Sequence, residues 1–272
     1  MRNDGPRLSL DSLTLTDTQP QDIICAARDA GFDIVSLWVQ EPPLFPSPLL
    51  TAEKEAECKA ILADSELEVI TLEVFDLHSL DAVEAYRVAL ERGARLGART
   101  ALTINYSNPD REQVTDILAR FAEVAAECGL GTKLEPVAGG QTTRLSEGAS
   151  LIAASGADVG LTFDPWHVIG AGGSVSDLEA VDQSLIRYVQ VCDGPMPMPE
   201  EQVGVGAVCE RAYPGEGQFP LIEMLDRLPR DVPIGIECPS LRRAQAGLSA
   251  LEQAREAMAA TRALLDRWTG SD

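Results

Sequence analysis

Histidine and paired cysteines are scarce in this sequence. Among 272 residues there are two histidines, His78 and His167, and six cysteines, none of which lies in a Cys-x-x-Cys pair. Structural zinc sites and dense disulfide frameworks both depend on such residues at close spacing, so the sequence argues against either. The cysteines lie mostly in apolar segments, where a reduced thiol packs as a small hydrophobic group.

Basic residues are also few. Lys and Arg number 22 against 43 Asp and Glu, which gives a formal net charge of −21. Binding to nucleic acid or to an anionic membrane relies on an excess of basic residues, so neither partner is expected. The sequence has no apolar run of membrane-spanning length and no signal-like N-terminal segment, which predicts a cytoplasmic location. The expected partner is a small-molecule substrate, and homo-oligomer formation is left open.

Strand-like and helix-like segments alternate eight times along the chain. The predicted strands cover residues 7–15, 33–40, 68–75, 100–106, 132–137, 159–163, 186–193 and 232–239. The predicted helices cover residues 19–30, 51–65, 79–96, 110–128, 145–154, 175–184, 219–228 and 244–268. Eight regular units favour a single (β/α)8 TIM barrel domain over residues 1–272, with a long loop at 194–217 after strand seven. A doubly wound open sheet is the alternative.

Four successive predicted strands end in residues with side-chain oxygens, and these are Glu135, Asp164, Gln190 and Glu237. In a barrel the carboxyl ends of the strands share one face, where active sites lie. Three buried carboxylates together require protons or a cation. The set therefore predicts one divalent metal ion, with Mg²⁺ or Mn²⁺ favoured and Co²⁺ or Zn²⁺ as other candidates. Taken singly, each carboxylate is also explained as a helix cap or loop contact, and Gln190 as a polar residue satisfied by the backbone.

Five short motifs occur in order: Leu134-Glu135-Pro136, Asp164-Pro165-Trp166-His167, Gln190-Val191-Cys192-Asp193, the 211–217 segment RAYPGEG and Ile236-Glu237. Together they resemble the sugar phosphate isomerase/epimerase family. These proteins are xylose isomerase-like TIM barrels of the AP endonuclease family 2 superfamily and share their fold with endonuclease IV. The match covers the second half of the chain, whereas the first half fits only in its strand and helix rhythm.

The resemblance implies an enzyme that removes the proton α to the carbonyl of a small sugar or polyhydroxylated compound. Glu135 and Glu237 would be metal ligands that also act as base and acid. His167 would hydrogen-bond or move protons. Arg211 would hold an oxygen-rich or anionic end of the substrate, and Trp166 would contact the substrate.

Gln190 departs from the histidine that many sugar epimerases of the family carry on strand seven. A glutamine there is similar to bacterial 3-dehydroshikimate dehydratases, which makes a metal-dependent lyase the alternative. A non-catalytic small-molecule-binding protein of the same fold is a further reading. Two histidines are too few for a nuclease of the endonuclease IV type. His78 could face the barrel mouth or be an ordinary loop residue, and Trp38, Phe45 and Trp166 could line a pocket or a subunit contact.

Overall fold

Eight parallel strands close into a barrel in the computed structural model, which describes residues 5–270. Each strand pairs with its neighbours in sequence, and β1 pairs with β8 to complete the ring. The predicted (β/α)8 fold is confirmed. The strands are β1 (Leu8–Leu10), β2 (Ile34–Trp38), β3 (Glu68–Asp76), β4 (Thr100–Ile104), β5 (Gly131–Glu135), β6 (Val159–Phe163), β7 (Ile186–Val191) and β8 (Ile234–Ile236).

Helices follow the strands and pack their apolar faces on the outside of the barrel. Ser79 and Asp110 cap α3 and α4 by accepting backbone N–H groups, which satisfies donors at these helix starts. None of the helices among residues 5–270 has both the length and the apolar character needed to cross a membrane. The helices are α1 (Pro20–Ala30), α2 (Ala52–Ala63), α3 (Leu80–Arg95), α4 (Arg111–Glu127), α5 (Leu145–Ser155), α6 (Pro165–Gly170), α7 (Gln202–Cys209), α8 (Leu221–Leu225), α9 (Leu241–Gln245) and α10 (Ala250–Thr269).

3₁₀ helices replace the second half of the first predicted strand and the whole of one predicted helix. The first strand stops at Leu10, and Ser12–Leu15 form a 3₁₀ helix, because the Ser12 hydroxyl donates to the Ser36 carbonyl and the Thr14 hydroxyl to the Ile236 carbonyl. The predicted helix at 175–184 is two 3₁₀ helices, Val175–Ala180 and Gln183–Leu185. Val181 between them is extended, and Asp182 caps the second turn.

The loop after β7 and the last two predicted helices also differ from the prediction. The loop at 194–217 contains α7, and the predicted final helix is divided into α9 and α10. The division falls at Gly247, whose φ of 82° ends the first helix, and Ser249 then caps the second. The helix predicted at 219–228 is shortened to the five residues of α8.

The barrel interior is unusually polar. Residues two positions apart on a strand face the same side, so Lys133 lies below Glu135 on β5, and Tyr188 lies below Gln190 on β7. Lys133 Nζ donates to Thr71 Oγ1 over 2.7 Å and lies 3.6 Å from the centre of the Tyr188 ring. Branched aliphatic side chains fill most barrels of this kind, whereas here a hydrogen-bonded polar cluster takes their place.

Asp193 fastens the chain after β7. Its Oδ1 accepts the backbone N–H groups of Gly194 and Phe219, and its Oδ2 accepts that of Gly215, each over 2.9 Å. The side chain is 2% exposed. The strand-seven aspartate therefore closes the 194–217 loop onto the barrel through backbone donors.

Replacing Asp193 with Ala should lower the free energy of unfolding by about 3 kcal/mol, because three backbone N–H groups, two of them buried, lose their acceptor. Urea unfolding followed by circular dichroism measures the change. The matched control is Asp158→Ala, since the Asp158 side chain is 85% exposed. Equal stability of the two variants would contradict the assigned role.

Candidate active site

The structure brings the four predicted strand-end residues to the same end of the barrel. Glu135 is the last residue of β5, Asp164 follows β6 directly, Gln190 lies near the end of β7, and Glu237 follows β8. All four are 5% exposed or less. Asp164 also caps α6, since its Oδ1 accepts the Trp166 backbone N–H over 2.7 Å. The cap and the site interpretation are thus compatible, because the two oxygens of Asp164 have different partners.

Arg211 lies between two of these carboxylates. Its Nη1 is 2.7 Å from Asp164 Oδ2 and 2.9 Å from Glu237 Oε2, and its Nε donates to the Ala207 carbonyl. The side chain is 2% exposed and lines the pocket described below. A single positive charge therefore joins the ends of β6 and β8. Among residues 5–270 the guanidinium donates through Nε and Nη1, which leaves Nη2 for a further acceptor.

The hydrogen bonding of His167 fixes its tautomer. Its Nδ1 accepts the Ala138 backbone N–H over 3.2 Å, so in the neutral ring the proton is on Nε2. Nε2 lies 3.8 Å from both Glu135 Oε1 and Asp164 Oδ2. Burial lowers the pKa of His167 to about 4 against the opposing charge of Asp164, so the ring is neutral at pH 7. His167 therefore directs its Nε2–H toward two carboxylate oxygens, at separations longer than a hydrogen bond.

Several buried oxygens near the site lack a partner. The amide Nε2 of Gln190 donates to Asp11 Oδ2, and its Oε1 meets no donor with good geometry among residues 5–270. Glu135 Oε1 likewise meets no hydrogen-bond donor among these residues. Unpaired buried acceptors are unfavourable. Glu135, Asp164 and His167 offer ligand atoms within 4.8 Å of one another, and such oxygen and imidazole donors suit a divalent cation. The residues present therefore fit a divalent metal.

The sequence interpretation missed a second acidic group. Asp11, Glu73 and Glu237 have carboxylate oxygens within 4.8 Å of one another. Asp11 accepts from the Tyr188 hydroxyl over 2.6 Å and from Ser9, whereas neither oxygen of Glu73 meets a hydrogen-bond donor with good geometry among the described residues. Residues two positions apart on a strand face the same side, so the sequence could have placed Lys133 and Tyr188 beside Glu135 and Gln190. Glu73 lies in a run that reads as an ordinary strand.

Burial dominates the electrostatics of these groups. Five carboxyl groups (Asp11, Glu73, Glu135, Asp164 and Glu237) share the interior with two cations, Lys133 and Arg211, an excess of three negative charges if all ionise. Burial raises the pKa of Glu237 to about 8, and it raises that of Glu135 well above its usual range, with Glu237 and Asp164 adding to the effect. Burial acts the same way on Asp164, yet Arg211 and His167 hold its pKa below the usual value.

A pocket of about 730 Å³, part of it open to solvent, leads to this cluster. Glu73, Glu135, His167, Arg211 and Glu237 line it, together with Trp38, Phe45 and other apolar side chains. Trp166 is not among the described lining residues. The centre of its ring lies 6.1 Å from that of Phe219 and 5.6 Å from the Arg211 guanidinium, and its Nε1 donates to the Val203 carbonyl. The substrate contact of Trp166 stays a prediction. His78 is half-exposed beside Tyr86 and is also absent from this lining.

The sequence profile of the xylose isomerase-like TIM barrel family matches residues 24–264. The chain belongs to this family. A search of curated protein sequences gave no match.

Solved structures of several other proteins share the fold at low sequence identity. IolI, solved with a zinc atom, is 15% identical with a TM-score of 0.79, over 96% of this chain and 99% of IolI. A xylose isomerase domain protein from Salmonella typhimurium LT2 is 15% identical with a TM-score of 0.80, over 97% and 99%. D-psicose 3-epimerase from Clostridium cellulolyticum H10, solved with D-tagatose, is 16% identical with a TM-score of 0.71, over 97% and 98%.

Lys133 should be essential to the stability of this xylose isomerase-like barrel at neutral pH. Burial lowers its pKa to about 8, so it is charged at pH 7 beside Asp11, Glu73 and Glu135. Lys133→Met should lower the free energy of unfolding by about 3 kcal/mol at pH 7, because buried carboxylates lose their counter-charge. Lys59→Met at an exposed site of α2 is the control.

The loss of stability caused by Lys133→Met should be smaller at pH 5 than at pH 7. Burial raises the pKa of folded Asp11 to about 6, above the value of 3.8 for an unperturbed aspartate. The stability that Asp11 contributes when protonated is present at low pH and is lost as the pH rises through about 6. A protonated Asp11 no longer needs the cation, so urea unfolding at pH 5 and pH 7 should give different losses. An identical loss at both values would contradict this account.

Proposed function

We propose that this protein is a divalent-metal-dependent isomerase or epimerase that removes the proton α to the carbonyl of a small substrate. The observation that carries the proposal is the meeting of Glu135 and Glu237, from strands three positions apart, at one pocket that Arg211 also lines. Two carboxylates at one pocket supply the base and the acid that moving an α-proton requires.

The residues of the site have separate roles in metal binding, proton transfer and substrate binding. Glu135, Asp164, Gln190 and Glu237 would hold the metal, and when bound it would polarise the substrate carbonyl and make the α-proton more acidic. Glu135 removes the proton at a carboxylate oxygen, and Glu237 returns one to the other side of the substrate. His167 donates its Nε2–H to a substrate oxygen, and Arg211 donates from Nη2. The zinc atom of IolI and the epimerase activity in the name of D-psicose 3-epimerase are consistent with this chemistry in the same fold.

Metal binding should depend on the strand-end oxygens. We expect about one divalent ion per chain by elemental analysis, removable by chelator dialysis. Gln190→Leu and Asp164→Asn should each weaken Mn²⁺ or Zn²⁺ binding by about tenfold or more, measured against a fluorescent chelator. The matched control is Gln113→Leu, at an exposed site on α4. Unchanged metal affinity in folded Asp164→Asn protein would remove the metal assignment.

Proton exchange tests the reaction itself. Incubation of candidate ketoses in D₂O should give deuterium at the α-carbon, and dialysis against chelator should abolish this until metal is restored. Glu135→Gln and Glu237→Gln should each reduce exchange by about a hundredfold or more. Circular dichroism must show that both variants are folded. Exchange that persists in both variants would exclude them as acid and base.

Dehydration is the second candidate because of Gln190. A glutamine on strand seven resembles bacterial 3-dehydroshikimate dehydratases, and its amide oxygen meets no donor with good geometry among the described residues. The first step, α-proton removal, would be the same, but a β-hydroxyl would then leave as water. Incubation with 3-dehydroshikimate and detection of an aromatic product by ultraviolet absorbance distinguishes the two reactions. A non-catalytic binding protein would bind ligand without exchange or elimination.

A further inference from the structure

The wall of the pocket is a separate hydrophobic cluster. Side chains from the first five strands and the segments after them form it, apart from the main core. Phe45 packs against this cluster and meets Trp38 edge to face, with ring centres 5.8 Å apart. The cluster members are Leu13, Trp38, Val74, Leu102, Ile104 and Val137. The pocket therefore offers carbon surface over much of its lining.

Charged groups in the lining are confined to the buried cluster around Arg211. They are Glu73, Glu135, Arg211 and Glu237, with the neutral His167 beside them. Elsewhere in the lining, the side-chain polar atoms are those of Trp38 and Tyr106, one indole N–H and one hydroxyl. A ligand in this pocket thus meets hydrogen-bonding partners mainly at one end.

A phosphate group fits this lining poorly. Arg211 is the one Lys or Arg side chain among the described lining residues, and Asp164 and Glu237 already share its charge. Phosphate sites combine several N–H donors or cations, whereas the surrounding carboxylates would repel a dianion. The lining therefore disfavours the sugar phosphate that the family resemblance suggests.

A bare sugar fits poorly for a different reason. Most carbons of a sugar carry a hydroxyl group, so several hydroxyls would face the apolar wall. A buried hydroxyl without a partner is unfavourable, while a hydrocarbon or aromatic ring would gain contact with the same surface. The carbonyl end of such a ring compound would reach the polar cluster.

We propose that the pocket binds an uncharged α-hydroxyketone whose body is a single hydrocarbon or aromatic ring. The inference rests on the proposed function, which requires the carbonyl and its α-proton at the carboxylate end. Trp38 and Phe45 determine the specificity by contacting the ring. The reaction stays a proton transfer between the α-carbon and the two glutamates, with no change in the number of atoms or electrons in the substrate.

Binding and exchange are measured separately on three probes: 2-hydroxyacetophenone, D-erythrulose and D-erythrulose 4-phosphate. Isothermal titration calorimetry of the Mg²⁺-supplemented protein should give at least tenfold tighter binding of 2-hydroxyacetophenone than of either sugar probe. Phe45→Ala should weaken binding of 2-hydroxyacetophenone about tenfold and leave D-erythrulose unaffected. Phe45 is half-buried in a loop, so its truncation spares the barrel core. Leu80→Ala, at a half-exposed site on α3 outside the lining, is the control and should change neither.

Different outcomes overturn the proposed substrate class and the proposed function. Ring-selective binding that Phe45→Ala weakens, without deuterium exchange on any probe, supports the substrate class and overturns the proposed function. Exchange on D-erythrulose 4-phosphate with tighter binding of that probe overturns the substrate class alone. Tighter binding of D-erythrulose, no binding of 2-hydroxyacetophenone, or no effect of Phe45→Ala also overturns it.

Discussion

Compensation of buried charge is the constraint on which this site depends. Lys133 reaches the carboxylates from inside the barrel, and Arg211 reaches them from the loop after β7. Each carboxylate taken out of water would be strongly unfavourable alone. The two cations leave an excess of acidic groups, which makes the interior favourable for a further cation and unfavourable for an anionic ligand. Charge balance thus connects metal binding with substrate choice.

Arg211 also makes the loop after β7 a part of the site. Its Nε donates to the Ala207 carbonyl at the end of α7, while Trp166 Nε1 donates to Val203 in the same helix. Asp193 holds both ends of the loop, because it accepts the backbone N–H groups of Gly194 at its start and of Gly215 and Phe219 at its end. The segment that interrupts the strand and helix rhythm is consequently held on the barrel at both ends, next to the carboxylates.

The alternation of segments was sufficient to predict the barrel, because parallel strands separated by helices close in few ways. It was insufficient for α7. Gly204 and Gly206 disfavour a helix in isolation, yet a Cβ at Gly206 would lie 2.5 Å from Trp166 Cζ2. A close contact with a distant tryptophan requires the glycine that weakens the local signal. Similarly, Ser12 and Thr14 leave the first strand because partners on β2 and β8 accept their hydroxyl protons.

The sequence by itself determined the fold, the family and the order of oxygen-bearing residues at the strand ends, since these follow from local periodicity and short motifs. Tertiary structure decided how those residues are paired. Arg211 meets Asp164 across 47 positions, and Tyr188 meets Asp11 across 177. The tautomer of His167 depends on the Ala138 N–H, and the orientation of Gln190 depends on Asp11. Such partners come together only when the barrel closes, because hydrogen bonds and charge compensation act over a few ångströms in space and local sequence cannot specify them.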